Sequence, residues 1–134
     1  MDQINNTVNN VVDWDAALDQ CGDDEAFLRE LFVDLYTEIQ TQIHKIQLAL
    51  TGTGNFMSGS DGTARMLSIR RAAHVIKGAA ASIMCIELQN TAKIVEDLAK
   101  EERIDSIGVA IQNLNKAAEN YRSYLGSIGI NTTS

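Results

Sequence analysis

The chain has 134 residues, 45% of them hydrophobic, which is enough for one domain with a single buried core. Its formal net charge of −7 argues against a general nucleic-acid binder, and no apolar run approaches the ~18 residues of a transmembrane helix. The absence of proline and the aromatic content of only 5% favour helices over a β-sandwich or barrel.

Two further features of the sequence indicate the cellular compartment of the protein. Cys21 and Cys85 are too few for a disulfide scaffold, and the first residues lack the basic and hydrophobic stretches of a secretory signal. We therefore expect a cytoplasmic protein, with the nucleus also possible if the cell is eukaryotic. The initial methionine and the full set of helices favour a stand-alone protein over an excised domain.

The N-terminal part predicts a tail followed by two helices. Residues 1–11 are rich in asparagine and have no apolar period, so we expect a flexible tail. A short helix follows over 12–18, capped by Asp13 and ended at Gly22. The acidic run at 23–25 opens a long second helix, because carboxylates suit the positive end of a helix dipole. Its predicted core stripe is Leu28, Phe32, Leu35, Ile39, Ile43, Ile46 and Leu50.

A Gly- and Ser-rich segment at 51–62 predicts a flexible loop between helices. The third helix is predicted from about Thr63 to Met84, and the fourth from about Ile86 to Glu101. A fifth begins at a Ser106 cap and stops at Gly126 and Gly129, leaving a C-terminal tail over 127–134 with a frayed end. Their predicted core residues are Ile69, Ala73, Ile76, Ala80 and Ile83; Leu88, Ala92, Val95 and Leu98; and Ile107, Ile111, Leu114, Ala118, Tyr121 and Leu125.

Four long helices, each with one apolar face, bury those faces most simply in a four-helix bundle. We therefore predict an all-α domain over 12–126, an antiparallel up-down-up-down bundle. The short first helix is expected to cover one end of it, with Trp14 plugging the core.

The third helix carries the candidate site. At ~100° per residue, His74 lies opposite the core stripe and is predicted to be exposed. The residues within about 60° of it are Leu67, Arg70, Arg71, Lys77, Gly78, Ala81 and Cys85. Residues 64–86 hold four basic side chains and no acid. Glycine inside a helix costs ~1 kcal/mol relative to alanine, so Gly78 suggests close approach by another surface.

These residue types suit phosphoryl acceptance. A neutral imidazole is a good nucleophile near neutral pH, and Lys77 can neutralise phosphoryl oxygens one turn away. Gly78, followed by small alanines at 79–81, leaves room for a second protein to press a reactive group against His74. The arrangement predicts a site that receives a phosphoryl group from a protein partner.

The run AHVIKGAAASI at 73–83 resembles the A-H-x-L-K-G-S-S-x-S-I/L-G signature of histidine phosphotransfer (HPt) domains. The segment over 12–31 resembles the entry helices of that family, and the resemblance extends to about Leu125. There are two departures: alanines stand where serines are frequent, and Met84 stands where glycine is frequent. We expect a different helix end at Met84 but no loss of the site.

The resemblance implies a phosphorelay intermediate that is not itself an enzyme. His74 would accept the phosphoryl group from a receiver-domain aspartyl phosphate and pass it to the aspartate of another response regulator. Lys77 would stabilise the phosphate charge, and Gly78 would form the gap that admits the partner. The predicted docking residues are Leu67, Arg70, Arg71, Ala81 and Ser82. The implied partners are receiver domains of hybrid sensor kinases and response regulators, which would supply Mg²⁺. We therefore expect that the chain has no cofactor of its own. We also expect that it is a monomer and that it binds neither nucleic acid nor a membrane.

Other interpretations remain to be compared with this one. The arginines could simply solubilise the helix, His44 has no motif around it, and the two cysteines are expected to be inert fillers. A histidine kinase would need an acid after the histidine, a nearby proline and an ATP-binding domain, whereas this chain has Val75 after His74 and no proline. A haem or di-metal bundle would need histidine spacings that this sequence lacks. The main alternative is a helical adaptor of HPt ancestry that binds signalling partners without transferring phosphate.

Overall fold

The computed structural model describes residues 11–51 and 61–132. Within these ranges the chain forms helices and no strand. The helices are α1 (Trp14–Gln20), α2 (Glu25–Thr51), α3 (Asp61–Ser82), α4 (Ile86–Lys100) and α5 (Ile104–Ser127). Residues 1–10 of the tail predicted over 1–11, and residues 52–60 of the loop predicted over 51–62, lie outside the described residues. The two ends of that predicted loop are helical, since Thr51 belongs to α2 and residues 61–62 belong to α3. No helix in the described part is both long enough and apolar enough to cross a membrane.

The four long helices form the predicted antiparallel bundle. Each packs on the next along the chain, and α5 returns to contact α2. Short connections at 83–85 and 101–103 join α3 to α4 and α4 to α5, which makes these neighbours antiparallel. α1 packs on α2, where the Trp14 ring lies 6.1 Å from that of Phe32. Trp14 is only partly buried, so it covers this end of the core rather than filling it.

The helical period predicts most of the core. Every predicted stripe residue of α3 and α5 is buried. In α2 the prediction fails at the last turn, because Leu50 is 40% exposed while Ala49 is buried. Gln42 is also buried on α2, and its amide donates a 2.6 Å hydrogen bond to Glu38 Oε2, which satisfies one of its polar atoms.

The first two helices begin where predicted, α1 at its predicted cap Asp13 and α2 within the acidic run at 23–25. Asp13 Oδ1 accepts from the Ala16 amide at 3.1 Å, and Asp24 Oδ1 accepts from the Phe27 amide at 3.0 Å. Between α1 and α2, Gly22 has a φ of 65° and so takes the left-handed conformation expected of it. Asp23 follows with a φ of 62°, a conformation that a short polar residue tolerates.

The ends of α5 were predicted less well. The helix begins at Ile104, so Ser106 lies inside it and is not its cap. Gly126 also lies inside, and the left-handed residue beyond the helix is Gly129, with a φ of 88°. Past the helix, Ile128 and Ile130 pack against the core. Arg122 Nε donates to Thr132 Oγ1 at 3.2 Å. The described part of the predicted tail is therefore held against the bundle rather than frayed.

Met84 ends α3 without the glycine that is frequent at this position of the signature. Its backbone has a φ of 57°, which is the left-handed conformation that glycine adopts most easily. The Met84 carbonyl accepts a 3.0 Å hydrogen bond from the Asp13 amide, and the partly buried side chain packs against the core. Methionine therefore takes up the conformation favoured by glycine, and these contacts help to hold it there.

Tyr121 provides a test of the core. Its buried hydroxyl donates to the Phe32 carbonyl at 2.9 Å and ties α5 to α2. We expect Tyr121→Phe to lower the free energy of unfolding by about 1 kcal/mol, the usual net worth of such a bond. Tyr36→Phe is the control, because the Tyr36 hydroxyl has no hydrogen-bond partner among the described residues and that side chain is only partly buried. Urea unfolding followed by circular dichroism measures both; equal stability losses would contradict this assignment.

Candidate functional site

His74 lies in the middle of α3 with its side chain 67% exposed. The residues on the opposite side of this helix, Ala73 and Ile76 among them, are buried in the core. The surface position predicted from the helical period is therefore correct. A rigid helix carries the imidazole, and the core on its far side fixes that helix in place.

A carboxylate from the neighbouring helix holds both His74 and Lys77. His74 Nδ1 lies 2.9 Å from Glu96 Oε2, and Lys77 Nζ lies 2.7 Å from Glu96 Oε1. Glu96 belongs to α4 and its side chain is only 14% exposed. The packing of α4 against α3 thus brings one acidic group beneath a histidine and a lysine that lie one turn apart.

This geometry sets which nitrogen carries the proton in the neutral ring. An ionised carboxylate only accepts hydrogen bonds, so the short contact assigns a proton to Nδ1 of the neutral imidazole. Nε2 then carries the free lone pair, and it has no partner among the described residues. The ring nitrogen available to a phosphoryl group is therefore Nε2.

Opposing effects act on the pKa of Glu96. Partial burial raises it, but the hydrogen bonds and positive charges of Lys77 and His74 together hold the pKa below its usual value of 4.5. Glu96 is therefore ionised at neutral pH. Because its folded-state pKa is lowered, its contribution to stability is complete above the unfolded-state pKa and is lost as the pH falls through the folded-state one.

The charge around His74 differs from the sequence prediction in one respect. Residues 64–86 supply no acid, but α4 does, so Lys77 is ion-paired rather than free. Arg70 and Arg71 are exposed on α3, and neither has an ion-pair partner among the described residues. The unpaired positive charge beside His74 therefore comes from the two arginines.

His74 opens onto a groove of about 500 Å³, and its lining residues are Leu67, Arg70, Arg71, His74, Val75 and Glu96. Three of these were predicted as docking residues. A second groove, of about 360 Å³, shares Arg71 and Val75 with the first and continues toward α2, where Lys45 and Leu48 line it. Val75, Lys45 and Leu48 were not predicted as lining residues; Lys45 and Leu48 lie on α2, where no sequence motif marks them. Leu48, Leu67 and Val75 are each between 38% and 39% exposed, which makes this surface partly apolar.

Gly78 lies exposed on α3, one turn beyond His74. A Cβ atom added there would meet nothing within 4 Å, so the packing of this chain does not require glycine at this position. Glycine at this position therefore costs the helix ~1 kcal/mol relative to alanine, and it leaves no side chain on the surface beside the imidazole.

The small surface beyond Gly78 is narrower than predicted. Ala79 and Ala80 are buried and belong to the core, whereas Ala81 is partly exposed. Ser82 is exposed, and its hydroxyl donates to the Gly78 carbonyl at 3.1 Å. Gly78, Ala81 and Ser82 thus lie at the surface, but no contact with a partner is shown for any of them.

Cys85 does not share the His74 surface, contrary to the helical projection. α3 ends at Ser82, so the projection does not extend to Cys85, which is fully buried before α4. Burial raises the pKa of its thiol to about 12, so the thiol stays protonated and unreactive at neutral pH. In the part of the chain that the structure describes, no group of three or more His, Cys, Asp or Glu side chains is placed to hold a metal ion.

Comparison with known proteins supports one family. Neither the curated proteins nor the solved structures include a match to this chain. A family model described as "Hpt domain" matches residues 30–124, which is more than half of the chain and includes the whole His74 site. The match does not reach the entry segment at 12–29, so that part of the resemblance is untested. The chain thus belongs to the Hpt domain family, whose members are phosphoryl-group carriers that interact with receiver domains in phosphorelays.

Proposed function

We propose that this chain is a phosphorelay intermediate: His74 accepts a phosphoryl group from the aspartyl phosphate of one receiver domain and passes it to the aspartate of another response regulator. The observation that carries the proposal is the exposed imidazole of His74, held through Nδ1 with Nε2 free. In this role the chain is a carrier and not an enzyme in its own right.

The transfer step follows from the ring geometry. The Nε2 lone pair of His74 attacks phosphorus in line, and an N–P bond forms as the P–O bond to the aspartyl group breaks. The bonding electron pair leaves with the aspartate carboxylate, and the proton on Nδ1 stays in place. The reverse sequence, with a second receiver, returns His74 to its starting state.

The partner surface that fits this step is acidic around its phosphorylated aspartate. Arg70 and Arg71 present unpaired positive charge beside His74, which favours such a partner and repels a basic one. Leu67 and Val75 add apolar contact area on the same groove. The receiver is proposed to bring its own Mg²⁺, so this chain needs no cofactor. We also predict that the chain acts as a monomer in the cytoplasm or nucleus, and that it binds neither nucleic acid nor membrane.

A label-transfer experiment tests the function. Receiver domains carrying ³²P-labelled aspartyl phosphate are mixed one at a time with this chain. We expect label to appear on the chain as acid-labile, base-stable phosphate and then to move to a second, unlabelled receiver. A chain that binds receivers but gains no label would instead support the adaptor of HPt ancestry, the alternative function.

Lys77 gives a graded prediction. Its ammonium group lies one turn from His74 and is paired with Glu96, so it lies where it can move toward phosphoryl oxygens. We expect Lys77→Ala to slow phosphoryl transfer roughly tenfold without abolishing it, the scale of one lost charged hydrogen bond. Rapid-quench kinetics measure the rate, and Lys93→Ala is the control, because Lys93 pairs with Asp97 on the outer face of α4. Equal rates for the two variants would make Lys77 a bystander.

A further inference from the structure

We infer that the groove between α2 and α3 is a binding site for a small organic anion that has an apolar body and a hydrogen-bond donor away from its charge. The groove has a volume of about 360 Å³, which lies within the range of small-molecule sites in proteins. It adjoins the His74 groove and shares Arg71 and Val75 with it. Binding of the anion concerns this chain alone, and only its effect on docking rests on the proposed function.

Small side chains on α3 leave this groove open. Ser68 and Ala72 lie one turn apart on the side of α3 that lines the groove, and longer residues there would fill it. Gln42, Lys45 and Leu48 line the opposite side, on α2. All of the lining residues belong to helices, so the groove is a fixed feature of the packed bundle.

Gln42 supplies a hydrogen-bond acceptor at the floor of the groove. The residue is only 7% exposed, and its amide nitrogen donates to Glu38 Oε2 at 2.6 Å. That hydrogen bond sets the orientation of the amide, because an ionised carboxylate only accepts. The Oε1 atom of Gln42 is left without a partner among the described residues. A buried acceptor without a partner is costly, so a ligand that donates a hydrogen bond to this oxygen gains affinity.

Two cations lie at the mouth of the groove. Lys45 on α2 and Arg71 on α3 are both exposed, and neither has an ion-pair partner among the described residues. The chain as a whole has a net charge of −7, so two unpaired cations on neighbouring helices give this groove a local preference for an anion. A carboxylate bound between them would neutralise both, and the guanidinium group can hold it through two parallel hydrogen bonds.

The rest of the lining is mostly apolar. Leu48 and Val75 are exposed in the groove and Ala72 is buried beneath it, so an apolar ligand body would remove this surface from water. The groove therefore combines an acceptor, apolar contact area and positive charge. This combination selects an amphipathic anion over inorganic phosphate, which has no apolar part, and over a neutral apolar molecule.

The probe for this site is 6-hydroxy-2-naphthoate, which has a carboxylate at one end of a flat apolar ring system and a hydroxyl donor at the other. Binding to the full chain is measured by ¹H–¹⁵N NMR titration, including the side-chain amide signals of Gln42. We expect saturable shifts at Gln42, Ser68 and Ala72, with a Kd on the order of 1 mM for a ligand of this size. Unmoved signals at these residues, or shifts across the whole chain that do not saturate, would overturn the inference.

A second probe tests the contact with Gln42. The related 2-naphthoate lacks the hydroxyl donor, so we expect it to bind the parent chain roughly fivefold more weakly, the scale of one hydrogen bond. Gln42→Leu removes the acceptor, so the two naphthoates should bind this variant with equal affinity. Circular dichroism melting verifies that the variant is folded. The same fivefold preference in the folded variant would show that Gln42 does not contact the ligand.

Lys45→Ala tests the charge at an exposed position, so this test holds even if Gln42→Leu does not fold. We expect the variant to bind 6-hydroxy-2-naphthoate about tenfold more weakly, the scale of a hydrogen bond between charged groups. Lys116→Ala is the matched control, because Lys116 is exposed on α5 and does not line the groove. Equal affinities of the two variants would mean that the groove does not hold the anion through its charge, contrary to the inference.

A bound anion would cover part of the surface proposed for the receiver, because the two grooves share Arg71 and Val75. With the probe at roughly ten times its own Kd, we expect the apparent Kd for a receiver domain to rise up to about tenfold in calorimetric titration. An unchanged receiver Kd would contradict this consequence. If the probe gives no shifts while Gln42→Leu and Lys45→Ala both weaken receiver binding, the groove belongs to the docking surface and the inference is wrong. A chain that binds the probe but no receiver contradicts the proposed function and supports the anion site.

Discussion

His74→Gln is expected to abolish phosphoryl acceptance altogether. The carboxamide that replaces the imidazole has a similar reach and can still donate to Glu96, but it has no nitrogen lone pair able to attack phosphorus. Because the side chain of His74 is 67% exposed and lies outside the core, we expect the free energy of unfolding to change by less than about 0.5 kcal/mol. The variant therefore separates chemistry from folding.

The measurement is the transfer of ³²P from a labelled receiver, read after gel separation with and without acid treatment. His44→Gln is the matched control, since His44 is the other histidine of the chain and lies exposed on α2. We expect full labelling of the His44 variant and none of the His74 variant. Acid-labile label on His74→Gln would place the phosphoryl group on another residue.

The architecture of this protein is predictable because it depends on periodicity. Apolar residues recur at helical spacing within each long helix, for example Ile69 and Ile76 in α3 and Leu114 in α5. Four such apolar faces are buried most simply when the helices pack as a bundle. The surface position of His74 follows from the same period, since Ala73 and Ile76 must face the core. Local signals and helix spacing were therefore sufficient to predict the fold and the surface position of His74.

The acidic component of the site was not predictable in this way. Glu96 lies 22 residues from His74 on a different helix, and nothing in its local sequence marks it. Its position depends on the register of α4 against α3, which is set by core packing around residues such as Leu88 and Val95. The sequence around His74 therefore indicates only positive charge, whereas in the structure Lys77 is paired with Glu96.

Helix ends were predicted only where a specific side chain determines them. Asp13 and Asp24 cap their helices through hydrogen bonds that a short polar residue makes locally. By contrast, α5 begins at Ile104 after Arg103, which makes no side-chain cap. Met84 takes a left-handed conformation that a residue with a Cβ seldom adopts, and its contacts with Asp13 and the core help to hold it. Tertiary contacts therefore outweigh local preference at these points.

Gly78→Leu is expected to block receiver docking while making the protein more stable. A Cβ at position 78 meets nothing within 4 Å, and leucine is a far better helix former than glycine, so we expect a gain of up to about 1 kcal/mol. The added side chain would project from the exposed surface one turn from His74, where the proposed function brings the phosphorylated aspartate of the receiver. Loss of a close contact at the centre of an interface weakens binding on the order of 100-fold.

A variant that is more stable but binds the receiver more weakly shows that the loss is local to the binding surface, because a destabilised variant can lose binding simply by unfolding. Gly126→Leu is the matched control, since Gly126 is also exposed and helical, with nothing within 4 Å of an added Cβ, but lies on α5 away from the His74 groove. Calorimetric titration with a receiver domain and thermal melting measure both properties. We expect Gly126→Leu to bind normally and Gly78→Ala, with one added methyl group, to bind with intermediate affinity. Undiminished receiver binding by Gly78→Leu would show that no partner surface approaches the helix at this position.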